Sequence, residues 1–367
     1  MNGTPGKFII LPTIGIGDLL MFTPGLRVLR ERFPESEIHV FTMSRASRDA
    51  ILNNPDADRV LYHPLMDDWR GGVLFVLGLR REGYDVSIQV FPGNKKEYNI
   101  VSRVIAARRR LGHRYLSHNL RALGFLNQER VDQESELHGV FENLKLLGLL
   151  GIDYDRGEIE KQGLHYYPTD AERAWADGII AREGGAPNIG FHPGSSSRRT
   201  NRFRRWPLRN FTRLAQSLLS RYPEARLFVF GGPEEDYLKL VIREGVSEPR
   251  KVNIVSEGLR ETAALVERMD IFCGNDSALL HLSAALKVPT VGIYGPSFVD
   301  RVYPFGVPHR IIRLDRDCSP CYEYTPLPLF CLAGRDYACI RNIKMEIVRD
   351  AVDDLMEQNV PKNRLNR

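Results

Sequence analysis

Residues 273–296, CGNDSALLHLSAALKVPTVGIYGP, constrain this 367-residue chain more than any other stretch. Ile271-Phe272-Cys273 is a short apolar run that Gly274 breaks, and Asn275, Asp276 and Ser277 are all residue types that cap helix N-termini. Leu279, Leu280, Leu282, Ala285 and Leu286 then recur at helical spacing until Pro289. A β-branched apolar run, 290–294, follows and ends in Gly295-Pro296. Strand, capped helix and strand in that order make a βαβ unit, which belongs in a parallel sheet. A helix starting at the C-terminal edge of such a sheet presents unpaired amides and a positive dipole end, which suits a phosphate; the bland reading is a βαβ unit with a good cap.

The same alternation runs through the rest of the chain. Lys7–Leu11 reads as a buried strand, 13–18 as a glycine-containing turn, and 19–32 as a helix closed by Pro34. Runs at 38–42, 60–62 and 84–91 read as further strands with helical stretches between them, and 138–150 as an amphipathic helix. The more polar stretch 151–187 holds the domain junction. The pattern then restarts with a strand at Asn188–His192, a helix at 208–222, a strand at 225–230, a Gly231-Gly232-Pro233 turn, a strand at 253–255 and a helix at 261–268. The expectation is an α/β protein with two doubly wound domains facing one another across a cleft. The first domain covers 1–170 and the second 187–343. Residues 344–367 carry a last amphipathic helix, expected to pack back toward the first domain.

Composition narrows the class. At 43% apolar and 26% charged residues the chain is soluble and globular in type, and its formal charge of +5 does not demand a nucleic-acid partner. No apolar run approaches the roughly 20 residues that span a bilayer. The start, MNGTPGKFIILPTIG, reads as a first strand and not as a signal peptide, so a cytoplasmic protein is expected.

Four clusters carry chemistry. In Gly15-Ile16-Gly17-Asp18-Leu19-Leu20 the dinucleotide fingerprint fails, because Leu20 stands where Gly or Ala is needed and Asp18 would oppose a pyrophosphate. Asp18 is then either a helix cap or a general base projecting into a cleft. Phe191-His192-Pro193-Gly194-Ser195-Ser196-Ser197 follows a strand and leads into Arg198, Arg199, Arg202, Arg204 and Arg205 before Trp206-Pro207 opens a helix. Small hydroxyls, backbone amides and guanidinium forks together suit a diphosphate. Arg108, Arg109 and Arg110, with His113 and Arg114, form a second basic patch that meets an acidic acceptor or an anionic membrane surface, or is a solvated helix end. It lacks the interleaved aromatics of an RNA site, so no nucleic-acid partner is expected. Cys318, Cys321, Cys331 and Cys339 place one Cys-x2-Cys pair beside two outlying thiols. Four thiolates suit a structural zinc or iron with no open position for catalysis; reduced structural thiols or disulfides are the alternatives.

With these pieces assembled, the chain resembles glycosyltransferase family nine, the bacterial lipopolysaccharide heptosyltransferases. The resemblance rests on IGIGDLLMFTPGLRVLRERFPESEIHVFT, HGVFENLKLLGL, FHPGSSSRRTNRFRRWPLRNFTRLAQSL, FGGPEEDY and GNDSALLHLSAALKVPTVGIYGPSFVDRVYPFG. It implies the GT-B fold, two Rossmann-like domains, with acceptor bound mainly by the first and nucleotide-sugar by the second. It implies an inverting single displacement that moves heptose from ADP-heptose to a lipopolysaccharide inner-core acceptor without a catalytic cofactor. Asp18 matches the general base. Arg204 stands where the family usually has Lys to neutralise the donor phosphates, and Arg205 shares that task. Ser195 and Ser196 match the phosphate loop, Asp276 the contact to sugar hydroxyls, and Ser277, Ala278, Leu279 and Leu280 the helix-start amides. Asn275, His281 and Gly231 border this donor site. Glu234 or Glu235 falls near the ribose or sugar, and Leu259 where the adenine packs. Acceptor contacts are expected from Gly17, Arg108, Arg109, Arg110 and His138. An anionic glycolipid acceptor implies a place at the cytoplasmic face of the inner membrane. Many members carry cysteines in the same C-terminal region. A transferase or epimerase using another sugar nucleotide, or a catalytically silent homologue, are the rival readings.

Overall fold

The computed structural model describes residues 5–11, 15–65, 67–116, 119–183, 187–195, 201–322 and 329–361. The chain divides into two compact units, Met1–Tyr167 and Pro168–Arg367. Among the described residues no helix is long and apolar enough to cross a membrane.

The first unit runs β1 (Lys7–Leu11), α1 (Ile16–Arg32), β2 (Glu37–Thr42), α2 (Arg45–Ile51), β3 (Arg59–Tyr62), α3 (Trp69–Arg81), β4 (Val86–Gln89), α4 (Lys96–Ile105), β5 (Arg109–Arg114), β6 (Glu129–Asp132), α5 (Gly139–Gly148) and α6 (Arg156–Gln162). Its six strands are all parallel, in the order β3-β2-β1-β4-β5-β6. The chain walks outward from β1 to β3 and returns to β4 on β1's other side, so the switch point lies between β1 and β4. Right-handed crossovers then put α1 and α2 on one face and α3 and α4 on the other. Phe75, Val76 and Leu79 of α3 and Val101, Val104 and Ile105 of α4 close over Ile9, Leu11 and Phe41. Helix α1 begins three residues earlier than its leucine spacing predicts and carries Pro24 inside it. Proline has no amide for the Leu20 carbonyl. The Thr23 hydroxyl donates to that oxygen instead, at 2.7 Å.

The basic run at 108–114 is not a helix end. Ala106 closes α4 in the left-handed conformation, and Arg109–Arg114 continues as strand β5 with Leu111 and His113 buried. Alternation, masked in sequence by the arginines, sets this element. The strand expected over 84–91 is shorter, Val86–Gln89, because Pro92 cannot join a ladder.

The second unit begins with α7 (Asp170–Glu183) and runs β7 (Asn188–His192), α8 (Leu208–Arg221), β8 (Arg226–Phe230), α9 (Asp236–Glu244), β9 (Val252–Val255), α10 (Leu259–Val266), β10 (Ile271–Asn275), α11 (Ala278–Ala285), β11 (Thr290–Ile293), α12 (Val299–Val302), β12 (His309–Ile312), α13 (Ala338–Arg341) and α14 (Met345–Asn359). These strands too are all parallel, ordered β12-β11-β10-β7-β8-β9, with the switch point between β7 and β10. Ile189, Phe191, Leu227, Val229, Ile271, Cys273, Val291 and Ile293 alternate along four strands and meet α8 and α14 in one core. The other face buries Phe228, Phe230 and Phe272, as expected for a sheet covered on both sides. The last helix, α14, is part of this unit and covers β10, β11 and β12.

Candidate active site

Both switch points collect polar groups, and the second collects more. Helix α11 follows β10 through Asn275-Asp276-Ser277. Ser277 occupies the N-cap position but does not cap; its hydroxyl lies 2.8 Å from Nδ1 of His192, at the end of β7. The other ring nitrogen, Nε2, is 3.0 Å from Glu235 Oε2. Glu235 also accepts from the Ser195 amide at 3.0 Å and from Arg205 Nη2 at 2.9 Å, and Arg205 reaches the Ser195 carbonyl at 2.6 Å. Burial works to raise the Glu235 carboxyl, but the hydrogen bond and charge of His192, the Arg205 guanidinium and the Ser195 amide outweigh it, leaving the group below the usual carboxylate range. This arrangement requires glycine at 194, because a Cβ there would overlap the Glu235 carboxylate.

Beside it lies a second buried pair. Arg204 Nη1 meets Asp276 Oδ2 at 2.8 Å, with the two residues 4% and 6% exposed. The Ser297 hydroxyl donates to the same Asp276 oxygen at 2.5 Å. Tyr322 covers the guanidinium, with its ring centroid 5.0 Å from Arg204 Cζ, and its hydroxyl reaches Asn201 Oδ1 at 3.2 Å. Asn275 holds the two strand ends together: its side chain donates to the Pro193 and Gly194 carbonyls and accepts from the Trp206 amide at 2.9 Å. Two guanidinium groups, a helix start and small-residue turns thus share the crevice at the β7/β10 switch point, where doubly wound sheets take their ligands.

Sequence-selected residues separate here by role. Asn275, Asp276, Ser277, Ser195, Arg204, Arg205 and Glu235 form this one network, and Ala278, Leu279 and Leu280 supply the first turn of α11. Glu234 is exposed on the turn after Gly231, whereas Glu235 is buried. Leu259 is half-buried at the first residue of α10. His281 is buried in α11; burial, only partly opposed by the Asp276 charge and aided by that of Arg204, pushes its imidazole down to about 4, so it is neutral at physiological pH. Ser196, Arg198 and Arg199 lie outside the described residues. His192, Ser297 and Tyr322 join the network without having been selected. His192 sits in the quoted FHPGSSS run, and its place at the end of a strand, directly before the Ser-rich turn, was the available signal.

In the first unit Asp18 lies in the first turn of α1, directly after the β1 edge, and is buried. Its carboxylate folds back against Gly15, the N-cap residue, leaving no room for a Cβ there. Gly17 is the helical residue before it. At the end of the neighbouring strands, the Gly93 amide donates to the Tyr115 hydroxyl at 2.5 Å, and burial, with the Glu142 and Asp18 charges adding to it against that hydrogen bond, pushes the phenol well above its usual range. His113 meets Phe91 edge-on and Tyr115 at a tilt within this group and lies 3.3 Å from Glu142. His138, expected as an acceptor contact, is buried and caps α5 by accepting from the Val140 amide at 3.2 Å.

Arg108, Arg109 and Arg110 stand elsewhere. They open β5, so they lie at the N-terminal edge of the sheet, about 20 Å along a six-residue strand from the edge that carries Asp18. Arg109 forks onto Glu129 at 2.7 Å and reaches the Leu149 carbonyl, Arg110 donates to the Leu126 and Ala107 carbonyls, and Arg108 pairs with Asp85. These contacts brace β5.

Cys318, Cys321, Cys331 and Cys339 line one cavity with Leu329 and Tyr337, and all four are free thiols. Among the described residues no three or more His, Cys, Asp or Glu side chains are gathered closely enough to hold a metal ion. The segment is nonetheless stitched to the switch-point loops: the Cys321 and Tyr322 amides donate to the Pro296 carbonyl at 2.9 and 2.8 Å, and the Ser319 hydroxyl to that of Gly295.

Two doubly wound parallel sheets in one chain, each gathering polar groups at its switch point, are the architecture of the GT-B fold. The chain belongs to glycosyltransferase family 9 (heptosyltransferase), whose family model matches residues 75–327. It is 24% identical over 326 residues to lipopolysaccharide heptosyltransferase 2 of Salmonella typhimurium, covering 84% of this chain and 88% of the relative. Its fold is similar to the structure of Escherichia coli ADP-heptose lps heptosyltransferase II, with a TM-score of 0.73, 21% identity and coverage of 96% and 99%. The iron-containing dodecameric glycosyltransferase TibC of enterotoxigenic Escherichia coli matches with a TM-score of 0.54 at 14% identity, covering 96% of this chain and 77% of TibC.

Proposed function

We propose that this enzyme transfers heptose from ADP-heptose to the inner core of a membrane-borne lipopolysaccharide acceptor, with inversion at the anomeric carbon. The observation that carries the reading is the buried Arg204–Asp276 pair beside the start of α11 at the β7/β10 switch point. In this reading the second unit, 187–343, binds donor and the first, 1–170, binds acceptor. Arg204 and Arg205 with the first amides of α11 take the diphosphate and offset the charge it gains as it leaves, so no divalent ion is called on. Glu234, exposed on its turn, is the better ribose contact, since Glu235 is committed to His192 and Arg205. Leu259 packs the adenine, and Asp276 holds sugar hydroxyls once donor displaces part of its present partnership. Asp18 takes the proton of the acceptor hydroxyl as its oxygen bonds to the anomeric carbon and the bond to the diphosphate breaks.

Calorimetric titration with ADP, UDP, GDP and CMP tests the donor half: ADP is expected to bind selectively. Preference for another nucleotide would overturn the sugar named here, and no binding at all would favour a silent homologue. For the base, Asp18→Ala is expected to cut turnover by about 10²-fold or more with ADP affinity kept. Full activity in that variant would remove Asp18 from the mechanism.

A second reading concerns the cysteines. The donor set of four thiols around one cavity suits a structural zinc or iron held by Cys318, Cys321, Cys331 and Cys339, which would draw the thiolates together and tie the segment down without an open coordination position. Elemental analysis of protein purified without a metal-affinity tag is expected to find metal that a Cys321→Ser/Cys339→Ser variant lacks; metal-free protein would refute it. An acceptor of this kind also places the enzyme at the cytoplasmic face of the inner membrane.

A further inference from the structure

We infer that the outer layer of the first unit, centred on the solvent face of α3, is the surface by which this protein lies on an anionic phospholipid bilayer. This deepens the reading of a membrane-borne acceptor and rests on it for its purpose; the basic run at 108–110 that first pointed to a membrane is occupied in bracing β5.

Helix α3 reads WRGGVLFVLGLRR and is apolar on both sides. Its inner side, Phe75, Val76 and Leu79, belongs to the core. Its outer side should be polar in a soluble layer, and is not: Trp69 is 67% exposed, Val73 52%, Leu74 73% and Leu77 40%. Arg70, Arg80 and Arg81 accompany them on the exposed side, and the Arg70 guanidinium lies 5.4 Å from the Trp69 ring centroid. The apolar exposure continues through the packed neighbours of α3, with Ile100 on α4 and Phe125, 55% exposed, in the turn packed on α4; Leu120, 82% exposed, precedes that turn. Exposed Lys96, Arg103 and Arg121 lie in the same layer. Singly exposed leucines mean little, but this group falls in one layer of one unit.

A tryptophan, aliphatic side chains and arginines on one helix face fit the interfacial region of a membrane. At 13 residues α3 is about 20 Å long, too short to span a bilayer but suited to lying in its plane. Charge favours lipid over a second copy of the chain. On this layer the exposed Arg70, Arg80, Arg81, Lys96, Arg103 and Arg121 outnumber the exposed Asp67, Asp68 and Glu82, so the face carries a net positive charge that repels its own copy, whereas an anionic leaflet attracts each cation by about 1 kcal/mol.

Sedimentation of the full chain with phosphatidylethanolamine–phosphatidylglycerol vesicles, against phosphatidylcholine vesicles, tests this. Binding to the anionic vesicles is expected, with Trp69→Ala/Leu74→Glu lowering the partition coefficient by about ten-fold or more. Arg70→Glu/Arg81→Glu is expected to lower it by a similar factor and to flatten its salt dependence. Thermal unfolding of the same samples reports that the first unit of each variant is folded, and ADP calorimetry tests the donor reading separately. Undiminished binding by both variants would move the membrane contact off this surface. Absence of binding by the parent chain, or a concentration-dependent dimer that Leu74→Glu makes monomeric, would overturn the inference altogether.

Discussion

Asp276 Oδ2 receives two donors at once, the Arg204 guanidinium and the Ser297 hydroxyl, and Tyr322 lies over the guanidinium from the far side. The cation therefore keeps one orientation before any diphosphate arrives. If Tyr322 is what fixes it, Tyr322→Phe retains ADP affinity, while Tyr322→Leu loses the ring contact, worth about 0.5–2 kcal/mol, and binds ADP roughly 2–30-fold more weakly. Equal affinities for the two variants would show that the ring does nothing for Arg204. Glu235 makes a pH prediction. Its carboxyl in the folded chain is held below the ordinary value of 4.5, so its stabilising effect is fully present above that pH and fades as pH falls through the lower folded value. Thermal unfolding of the parent and Glu235→Gln should therefore differ at neutral pH, by about 3 kcal/mol if a buried charge pair has been broken, and converge in acid. A pH-independent difference would mean that the carboxylate charge is not what matters at this position.

Elements were legible where a periodic pattern was uninterrupted. Strand β7 follows its sequence reading residue for residue, α8 and α11 lie within a residue or two, and α14 falls inside 344–367, because their apolar residues repeat at helical spacing. Strand β5 was hidden by its arginines, and the two helices α6 and α7 by the polar composition of 151–187. At the site, Ser195, Arg204, Arg205 and the start of α11 were legible as candidate polar groups, and the structure brings them together. What could not be read was convergence: Ser277 and His192 are 85 residues apart in sequence and Arg204 and Asp276 are 72. Register between β7 and β10 creates both contacts, and no local pattern encodes it. Helix α14 tests the element scale. Val348, Val352, Leu355 and Met356 are wholly buried, and the helix packs on the second sheet. Leu355→Ala should cost about 2–5 kcal/mol in denaturant unfolding. A cost below about 1 kcal/mol would mean that α14 is not an integral layer of that core.

At the scale of the molecule, the two units differ in what their chemistry needs. Each has its own six-stranded parallel sheet and its own buried core, with the α8–α14 core drawn wholly from residues after Pro168. The polar network at the β7/β10 switch point is likewise complete within the second unit: His192, Ser195, Arg204, Arg205, Glu235, Asp276, Ser277, Ser297 and Tyr322 all follow the boundary. A unit with its own core folds independently. The segment 168–361, produced alone, should therefore unfold cooperatively and bind ADP within a few-fold of the full chain, while showing no transfer activity if the first unit supplies the acceptor site and the base as proposed. If it folds but does not bind ADP, the donor site draws essential groups from the first unit, and the assignment of Arg204 and α11 as the principal diphosphate ligands fails. If it does not fold, the two cores are not independent, and the division at Tyr167–Pro168 describes the chain's geometry without describing its stability.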